Sequence, residues 1–309
     1  PIAGKWTGAG DVEEVYRNQS VRIHKFQFMK DILSEIIAHK RIEIEQQKQA
    51  VSLSQLQEQA AAMIQEAVGS GTSGTTPVRS MKRALANSSS GIIAEFKRRS
   101  PSKGWIYENA CPEQVVPDYI AAGASALSIL TDEKFFGGSL KDIRTARPLV
   151  NIPILRKDFI IDEYQLFQAK IVGADAILLI AAALEADQCH ALAAKAHELG
   201  LEVLLEIHTA EELPFINKEI DMVGINNRNL GTFFTDVENS FRLAGQLPQD
   251  ALLVSESGIS DPETVKRLRK AGFRGFLIGE TFMKTQQPGQ KLKEFINDLN
   301  SPQSDTESH

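Results

Sequence analysis

The stretch that decides the fold runs from Pro153 to Ile180 and reads PILRKDFIIDEYQLFQAKIVGADAILLI. It holds two short apolar runs, Pro153–Leu155 and Ala176–Ile180, separated by a helical pattern over Glu163–Val172 and by Gly173. Both runs are nearly continuous rather than alternating, which is typical of strands buried on both faces of a parallel sheet. A glycine directly after a helical pattern favours the left-handed residue that ends many helices. The stretch therefore predicts one strand–helix–strand unit.

The same pattern repeats from Gly91 to about Asn300 and predicts eight strand–helix units. The apolar runs are Ile92–Phe96, Ala126–Leu130, Pro153–Leu155, Ala176–Ile180, Val203–Glu206, Met222–Ile225, Leu252–Ser255 and Gly275–Ile278. The helical patterns are Pro112–Ala122, Leu140–Leu149, Glu163–Val172, Glu185–Leu199, Ala210–Asn217, Val237–Ala244, Pro262–Ala271 and Lys291–Leu299. Eight units favour a closed (β/α)8 TIM barrel. The rival is a doubly wound open sheet, which usually has about six strands and a GxGxxG after the first strand. No GxGxxG follows the first predicted strand here.

The residues before the barrel predict an extra N-terminal helical segment, and we divide the chain into four parts. Residues 1–27 form an N-terminal extension that is partly irregular, 28–90 the helical segment with a glycine-rich linker, 91–300 the barrel and 301–309 a disordered tail. Apolar residues at helical spacing predict one long amphipathic helix, and a second covers Leu53–Val68. The apolar residues of the first predicted helix are Ile32, Leu33, Ile36, Ile37, Ile42 and Ile44. Gly69–Pro77 lacks the Gly-Lys of a phosphate loop and indicates a flexible linker.

Composition excludes several classes of protein. Hydrophobic residues make up 42% and charged residues 24%, which argues against wholesale disorder. The 34 basic and 40 acidic residues give a net charge of −6, so we expect no nucleic-acid partner and no membrane surface. No apolar run is long enough to span a bilayer. Cys111 and Cys189 lie far apart without a CxxC motif, which favours a reducing compartment.

Polar residues follow many of the apolar runs, where the loops of a barrel mouth would meet. Lys97, Lys157, Glu95, Glu206 and Glu256 all lie at such positions. Carboxylates and ammonium groups buried together must pair or shift their pKa values, because isolated burial is costly. A solvated rim of stabilising ion pairs is the alternative, but five such residues together favour an active site.

The last two units carry a second pattern. Ser257-Gly258 and Gly279-Glu280 are short turns whose glycines would let backbone N–H groups approach a ligand. Barrels often bind phosphate at this place with a short extra helix, which Thr281–Lys284 could form. Lys97 and Ser100 could add donors from the neighbouring first strand; the alternative is that the glycines only close two tight turns.

Metal chemistry is not expected, because the sequence has no HExxH motif and His190, His197 and His208 show no ligand spacing. His208 follows Glu206 closely and could face the barrel mouth. Trp105 and the pair Phe135-Phe136 indicate loop or rim packing. A substrate wall of aromatic side chains is the alternative, and Phe159 beside Lys157 supports it.

Seven segments at these strand ends resemble the indole-3-glycerol phosphate synthases of tryptophan biosynthesis. They are IIAEFKRRSPSKGWI, LSILTDEKFFGGSL, PILRKDFIIDEYQ, LLEIHTAEEL, VGINNRNL, LLVSESGIS and FLIGETFM. The resemblance implies a lyase that closes the ring of 1-(2-carboxyphenylamino)-1-deoxyribulose 5-phosphate with loss of carbon dioxide and water. It also implies no cofactor and no metal.

The resemblance implies a role for each site residue. Lys157 would be the general acid and Glu206 the general base. Lys97 would be a second catalytic lysine near the substrate's carboxylate that can share acid duty, and Glu95 would orient the two lysines. Asn226 and Glu256 would hold sugar hydroxyls and support dehydration, and Arg228 would contact the anthranilate carboxylate. The remaining substrate and phosphate contacts would be Ser100, Phe159, Ser257, Gly258, Gly279 and Glu280. At Glu280 the backbone N–H alone would serve, because its carboxylate would repel phosphate.

Other expectations concern rival functions, partners and location. A Schiff-base aldolase would use Lys157 as a nucleophile, and a non-catalytic sensor would bind a phosphorylated ligand only. We expect a monomer or weak homo-oligomer, with contact to other tryptophan-pathway enzymes left open. The location is the cytoplasm, or the plastid stroma if a transit peptide has been removed before Pro1.

Overall fold

The computed structural model describes residues 32–69, 79–229 and 233–301. The expectations for residues 1–27, for most of the glycine-rich linker and for residues 302–309 lie outside the described residues. The four-part division of the chain therefore stays a prediction.

Eight parallel strands close into a barrel, as the repeated apolar runs predict. Each strand pairs with its neighbours in sequence, and β1 also pairs with β8, which closes the ring. The strands are β1 Ile92–Phe96, β2 Ala126–Leu130, β3 Ile154–Lys157, β4 Ala176–Ile180, β5 Glu202–Ile207, β6 Met222–Asn226, β7 Leu252–Glu256 and β8 Phe273–Ile278. A two-stranded hairpin, Arg99–Ser100 with Gly104–Trp105, lies in the loop after β1. The fold is the predicted (β/α)8 TIM barrel with helices before it.

Helices surround the barrel and precede it. The first, α1, covers residues 32–50. The others are α2 Leu53–Gly69, α3 Met81–Ala86, α4 Pro112–Ala122, α5 Glu133–Phe136, α6 Leu140–Ala146, α7 Glu163–Val172, α8 Ala186–Glu198, α9 Glu238–Ala244, α10 Pro262–Lys270, α11 Glu280–Met283 and α12 Pro288–Asn300. Three 3-10 turns cover Arg147–Leu149, Ala181–Ala183 and Ala210–Phe215. Over the described ranges, none of the helices combines the length and apolarity needed to cross a membrane.

Several element bounds differ from the sequence prediction, and two of the differences have a clear physical reason. The third strand continues past Leu155 to Lys157, because Arg156 and Lys157 are both paired with carboxylates in the fold. The helix predicted over Ala210–Asn217 is a 3-10 turn over Ala210–Phe215. Pro214 lies inside it and lacks the N–H that an α-helix would need.

The core has an inner and an outer part. Inside the barrel Ile93, Leu178 and Leu204 pack together, and α3 adds Met81 and Leu85 to this cluster. The outer part lies between the sheet and its helices. The apolar face predicted for α1 is correct for Ile36, Ile37 and Ile44, which are buried, but Ile42 is exposed. A charged residue, Lys40, lies on the buried face of α1 instead.

Candidate active site

The ammonium of Lys157 lies between two buried carboxylates at the mouth of the barrel. Its Nζ is 3.3 Å from Oε2 of Glu206 and 3.5 Å from Oε2 of Glu256. The three side chains come from the ends of β3, β5 and β7, where parallel strands direct polar groups to one mouth. The two carboxylates are 2% and 1% exposed, so their charges are poorly screened by water.

A second pair lies beside this triad at the end of β1. Nζ of Lys97 is 2.8 Å from Oε1 of Glu95, and the hydroxyl of Ser128 donates to the other oxygen of Glu95 at 3.2 Å. Burial opposes ionisation of Glu95, but Lys97 and Lys157 outweigh it and lower the pKa of Glu95. The carboxylate is therefore charged and fixed between the two lysines.

Glu206 receives further support from β6 and from its own strand end. The amide of Asn226 donates to Oε1 of Glu206 at 2.9 Å. Nε2 of His208 lies 3.2 Å from the same oxygen, and Nδ1 lies 3.6 Å from Glu212. Neither ring nitrogen makes a hydrogen bond, so these contacts are electrostatic. Burial disfavours the charged imidazole, but the two carboxylates outweigh it and raise the pKa of His208 to about 9.

The two carboxylates around Lys157 differ in protonation. Burial raises the pKa of Glu206, but Lys157, His208 and Asn226 outweigh burial and the net shift is downward. Burial and the charge of Glu206 raise the pKa of Glu256, against the pull of Lys157. Burial lowers the pKa of Lys157, yet its carboxylate neighbours outweigh that and raise it. The pKa shifts of the two carboxyl groups are therefore opposed: Glu206 ionises more readily than an ordinary glutamate, and Glu256 keeps its proton to higher pH.

Two glycines make room for these carboxylates. A Cβ at Gly224 would lie 2.1 Å from Oε1 of Glu256, and one at Gly279 would lie 2.5 Å from Oε1 of Glu95. Gly279, which we expected at a phosphate turn, also leaves space for Glu95. Gly224 lies in the quoted segment VGINNRNL without a predicted role, and the side chain of Glu256 on the neighbouring strand explains why it is a glycine.

An apolar cavity of about 130 Å³ opens beside Lys157. The rings of Phe136 and Phe159 lie 6.0 Å apart at its wall. Its other apolar lining residues include Ile32, Leu33 and Ile36 of α1 and Pro101, Leu130, Leu178, Ile180, Phe233 and Leu277. The expectation that Phe135 and Phe136 both serve rim packing is wrong for Phe136. Adjacent residues of a helix point in different directions, so Phe135 is buried against His39 while Phe136 faces the cavity.

A second cavity of about 400 Å³ adjoins the first beside the loops after β7 and β8. Its cationic lining residues are Lys97, Lys103, Arg228 and Lys284. Ser257 has a φ of 69° and Gly258 one of 76°, so both are left-handed residues in this loop. The predicted extra helix is present as the single turn Glu280–Met283. This surplus of cations suits an anion.

Glu280 faces cations in this second cavity. Its Oε2 is 3.5 Å from Nη2 of Arg228, and its Oε1 is 3.8 Å from Nζ of Lys103. Nη1 of Arg228 also donates to the hydroxyl of Ser102 at 2.5 Å. The Glu280 carboxylate therefore competes with an anionic ligand for Arg228 and Lys103.

All the predicted site residues line one or both of these cavities. The first is lined by Glu95, Lys97, Ser100, Lys157, Phe159, Glu206, Asn226, Arg228, Glu256 and Ser257, and the second by Ser257, Gly258, Gly279 and Glu280. Ser100 lines the first cavity only, whereas Ser102 lines the second. Lys284 and Phe136 were missed as site residues, although Phe136 stands in a quoted strand-end segment and Lys284 in the predicted short helix Thr281–Lys284. Within the described residues no group of three or more His, Cys, Asp or Glu side chains could hold a metal ion.

Comparisons with known proteins agree with this geometry. A family model described as indole-3-glycerol phosphate synthase matches residues 33–295. A relative of that name from Bacteroides thetaiotaomicron is 76% identical over 268 residues, which cover 87% of this chain and 98% of the relative. One from Acidithiobacillus ferrooxidans is 42% identical over 275 residues, covering 87% of this chain and all of the relative.

Among solved structures, the tryptophan synthase alpha subunit from Legionella pneumophila aligns with a TM-score of 0.53 at 15% identity. The alignment covers 71% of this chain and 97% of that subunit, and it supports the fold alone. The family model, by contrast, matches most of the chain and most of the barrel mouth. The chain belongs to the indole-3-glycerol phosphate synthase family.

Proposed function

We propose that the chain converts 1-(2-carboxyphenylamino)-1-deoxyribulose 5-phosphate to indole-3-glycerol phosphate, carbon dioxide and water. The observation that carries this proposal is the position of Lys157 and its two carboxylates beside an apolar cavity and a neighbouring cationic one. The aromatic ring of the substrate suits the first cavity, and its phosphate suits the second. The reacting ketone lies between these two ends of the substrate.

Lys157 acts as the acid in ring closure. The aromatic carbon that bears the carboxylate attacks the ketone carbon, and the ketone oxygen takes a proton from the ammonium as its double bond opens. Because its carboxylate neighbours raise the pKa of Lys157, the side chain is reliably cationic before the reaction. The alkoxide that would otherwise form is far more basic than an amine, so the proton transfer is favourable.

The later steps use the two carboxylates in different roles. Loss of carbon dioxide returns its bonding electrons to the ring and restores aromaticity. Glu256, which retains a proton, donates to the hydroxyl as it leaves as water. Glu206 is ionised and accepts the proton from the carbon next to nitrogen, which completes the indole. Neighbouring groups with opposite pKa shifts are a frequent mark of an acid–base pair.

The remaining residues bind and orient the substrate. Phe136 and Phe159 contact the aromatic ring, while Lys97 and Arg228 attract its carboxylate. Lys97 lines both cavities and can share acid duty with Lys157. Glu95 fixes Lys97 at 2.8 Å. The turn at Ser257-Gly258 and the backbone beside Gly279 hold the phosphate, with Lys103 and Lys284 nearby.

The raised pKa of Lys157 disfavours the Schiff-base aldolase. A lysine that attacks a carbonyl must be neutral, and nucleophilic lysines are usually desolvated without such paired carboxylates. Here the charges of Glu206 and Glu95, and that of Glu256 where it ionises, keep the ammonium charged. A phosphate-ligand sensor would not require an acid and a base in the same buried cluster.

Single-turnover kinetics with Lys157→Met and Glu206→Gln test these roles. Lys157→Met should reduce turnover about 10²-fold or more and spare binding, because it removes the acid. Glu206→Gln should release carbon dioxide faster than it forms indole fluorescence. Borohydride treatment with substrate should leave no covalent adduct on Lys157. A trapped adduct, or unchanged turnover in Lys157→Met, would overturn the acid assignment.

The reaction class, partners and compartment belong to the same proposal. Cleavage of a carbon–carbon bond with release of carbon dioxide makes the protein a carboxy-lyase, and its small-molecule partner is a phosphorylated aromatic compound. Monomer or weak homo-oligomer remains our expectation, and docking with other pathway enzymes stays open. The two relatives named above are bacterial and nothing in them favours a plastid. Cys111 and Cys189 are both free thiols, which supports the cytoplasm.

A further inference from the structure

Lys40 is a lysine of the N-terminal helix α1 whose side chain is buried. It is 1% exposed, and its Nζ lies 2.9 Å from Glu43, 2.9 Å from Asp132 and 3.0 Å from Asp158. Asp132 follows β2 and Asp158 follows β3, so one ammonium connects α1 to two loops of the barrel mouth. Burial of this ammonium carries a desolvation cost, which the three carboxylates around it offset.

The charges in this cluster depend on one another. Burial lowers the pKa of Lys40, but Asp158, Asp132 and Glu43 outweigh burial and raise it. Asp158 is also paired with Arg156 at 2.9 Å and accepts from Thr131 at 2.5 Å. Removing Lys40 would therefore leave Asp132 buried without this counter-ion and would weaken the hold on Asp158.

The same two carboxylates fix the aromatic wall of the cavity. Asp132 caps α5 by accepting from the backbone N–H of Phe135 at 2.8 Å, and α5 carries Phe136. Asp158 accepts from the backbone N–H of Phe159 at 2.8 Å. Asp158 thus holds the backbone of Phe159 directly, and Asp132 holds the first turn of α5, in which Phe136 follows the bonded Phe135.

Helix α1 supplies another side of that cavity. Ile36 lies one helical turn before Lys40, and Ile32 lies one turn before Ile36, so these side chains share a face. Ile32, Leu33 and Ile36 all line the apolar cavity. The ion pairs of Lys40 with Asp132 and Asp158 connect this helix to the loops after β2 and β3.

We propose that Lys40 is a positioning residue that holds α1, Phe136 and Phe159 together as the binding wall for the aromatic end of the substrate. Lys40 does not line either cavity and touches none of the reacting groups. The inference rests on the proposed function, since it assigns the aromatic ring of that substrate to this wall.

The substitution Lys40→Met tests the inference by separating KM from kcat. The wall contacts the ring equally before and during reaction, so its loss should raise KM about 10-fold or more and change kcat less than about three-fold. Calorimetric titration with anthranilate, the aromatic end of the substrate, should show a matching loss of affinity. Lys40→Arg keeps the charge and should recover most of both values.

Lys48→Met is the matched control on the same helix. Lys48 pairs with Asp162 at 2.8 Å, and neither residue lines the apolar cavity. The Lys48→Met substitution removes a contact between α1 and the barrel and leaves Phe136 and Phe159 with all their contacts. KM and the affinity for anthranilate should therefore stay at the wild-type values. A lowered Tm with unchanged KM and anthranilate affinity in folded Lys40→Met would show a merely structural role and overturn the inference.

Asp132→Asn provides a second test if Lys40→Met does not fold. Asparagine keeps the helix cap but removes one charge that Lys40 contacts. We expect a rise of about three-fold or more in KM and in the anthranilate dissociation constant, whereas unchanged values contradict the inference. Wild-type protein that binds anthranilate but makes no indole product would overturn the proposed function alone. Wild-type protein that neither binds anthranilate nor makes the indole product would overturn both, whereas one that makes the product without binding anthranilate would overturn the inference alone.

Discussion

Replacing Gly224 by alanine should disable the site while leaving the fold intact. The added Cβ would lie 2.1 Å from Oε1 of Glu256, whereas ordinary contact begins at 3.4 Å. The carboxylate must therefore move by about 1.3 Å, because the backbone on both sides is held in the barrel. A misplacement of about 1 Å at a reacting group can cost about 10²-fold in rate. We expect kcat to fall by about that factor.

The assay is the initial rate of indole fluorescence, measured with Gly245→Ala as the matched control. A Cβ at Gly245 meets nothing within 4 Å, and its φ is −71°. The control should therefore keep wild-type rate. Both variants should show cooperative thermal unfolding. The atom that the new Cβ displaces is Oε1, at the end of the Glu256 side chain, and the backbone does not have to move. A Gly224→Ala protein with wild-type kcat would refute the requirement for Glu256 at its present position.

Three further predictions concern the carboxylates and His208. Glu206→Gln should slow proton removal about 10²-fold while carbon dioxide release continues, as seen by comparing the two products in stopped flow. Glu280→Gln should strengthen binding of inorganic phosphate about five-fold in competition assays, because the carboxylate 3.5 Å from Arg228 no longer competes. His208→Asn should lower stability most below pH 6.5. The pKa of His208 is raised to about 9 against burial, so its contribution of up to about 3 kcal/mol is lost as pH rises through that value.

Each of these predictions has an outcome that contradicts it. Equal rates of carbon dioxide and indole formation in Glu206→Gln would remove the base role. Weaker phosphate binding in Glu280→Gln would mean that the carboxylate orders Arg228 rather than competing for it. An effect of His208→Asn on Tm that is the same at pH 6 and pH 10 would show that the ion pairs with Glu206 and Glu212 do not stabilise the fold.

The barrel and its polar mouth were predictable from the sequence because both depend on local patterns. Continuous apolar runs indicate strands buried on both faces. The residues that follow these strands all lie at the same end of a parallel barrel. This placed Lys157 and Glu206 together although they lie on different strands. The same reasoning predicted an end of the third strand that is too early. A charged residue such as Arg156 is unexpected in a buried strand unless it has a counter-ion, which here is Asp158.

What the sequence did not reveal depends on contacts between distant segments. Lys40 interrupts the apolar face of α1, and its role appears only when Asp132 and Asp158 are brought beside it. Gly224 needs the carboxylate of Glu256 from the next strand to explain it. Phe136 was grouped with its neighbour because adjacency in sequence does not show which ring faces the cavity.

The most direct test of the proposed function adds 1-(2-carboxyphenylamino)-1-deoxyribulose 5-phosphate to the purified wild-type protein in the presence of EDTA. Indole fluorescence and carbon dioxide are then followed together. We expect one carbon dioxide for each indole product, and loss of both signals in Lys157→Met. Substrate that binds by calorimetry but yields neither product would contradict the synthase assignment and favour a ligand sensor.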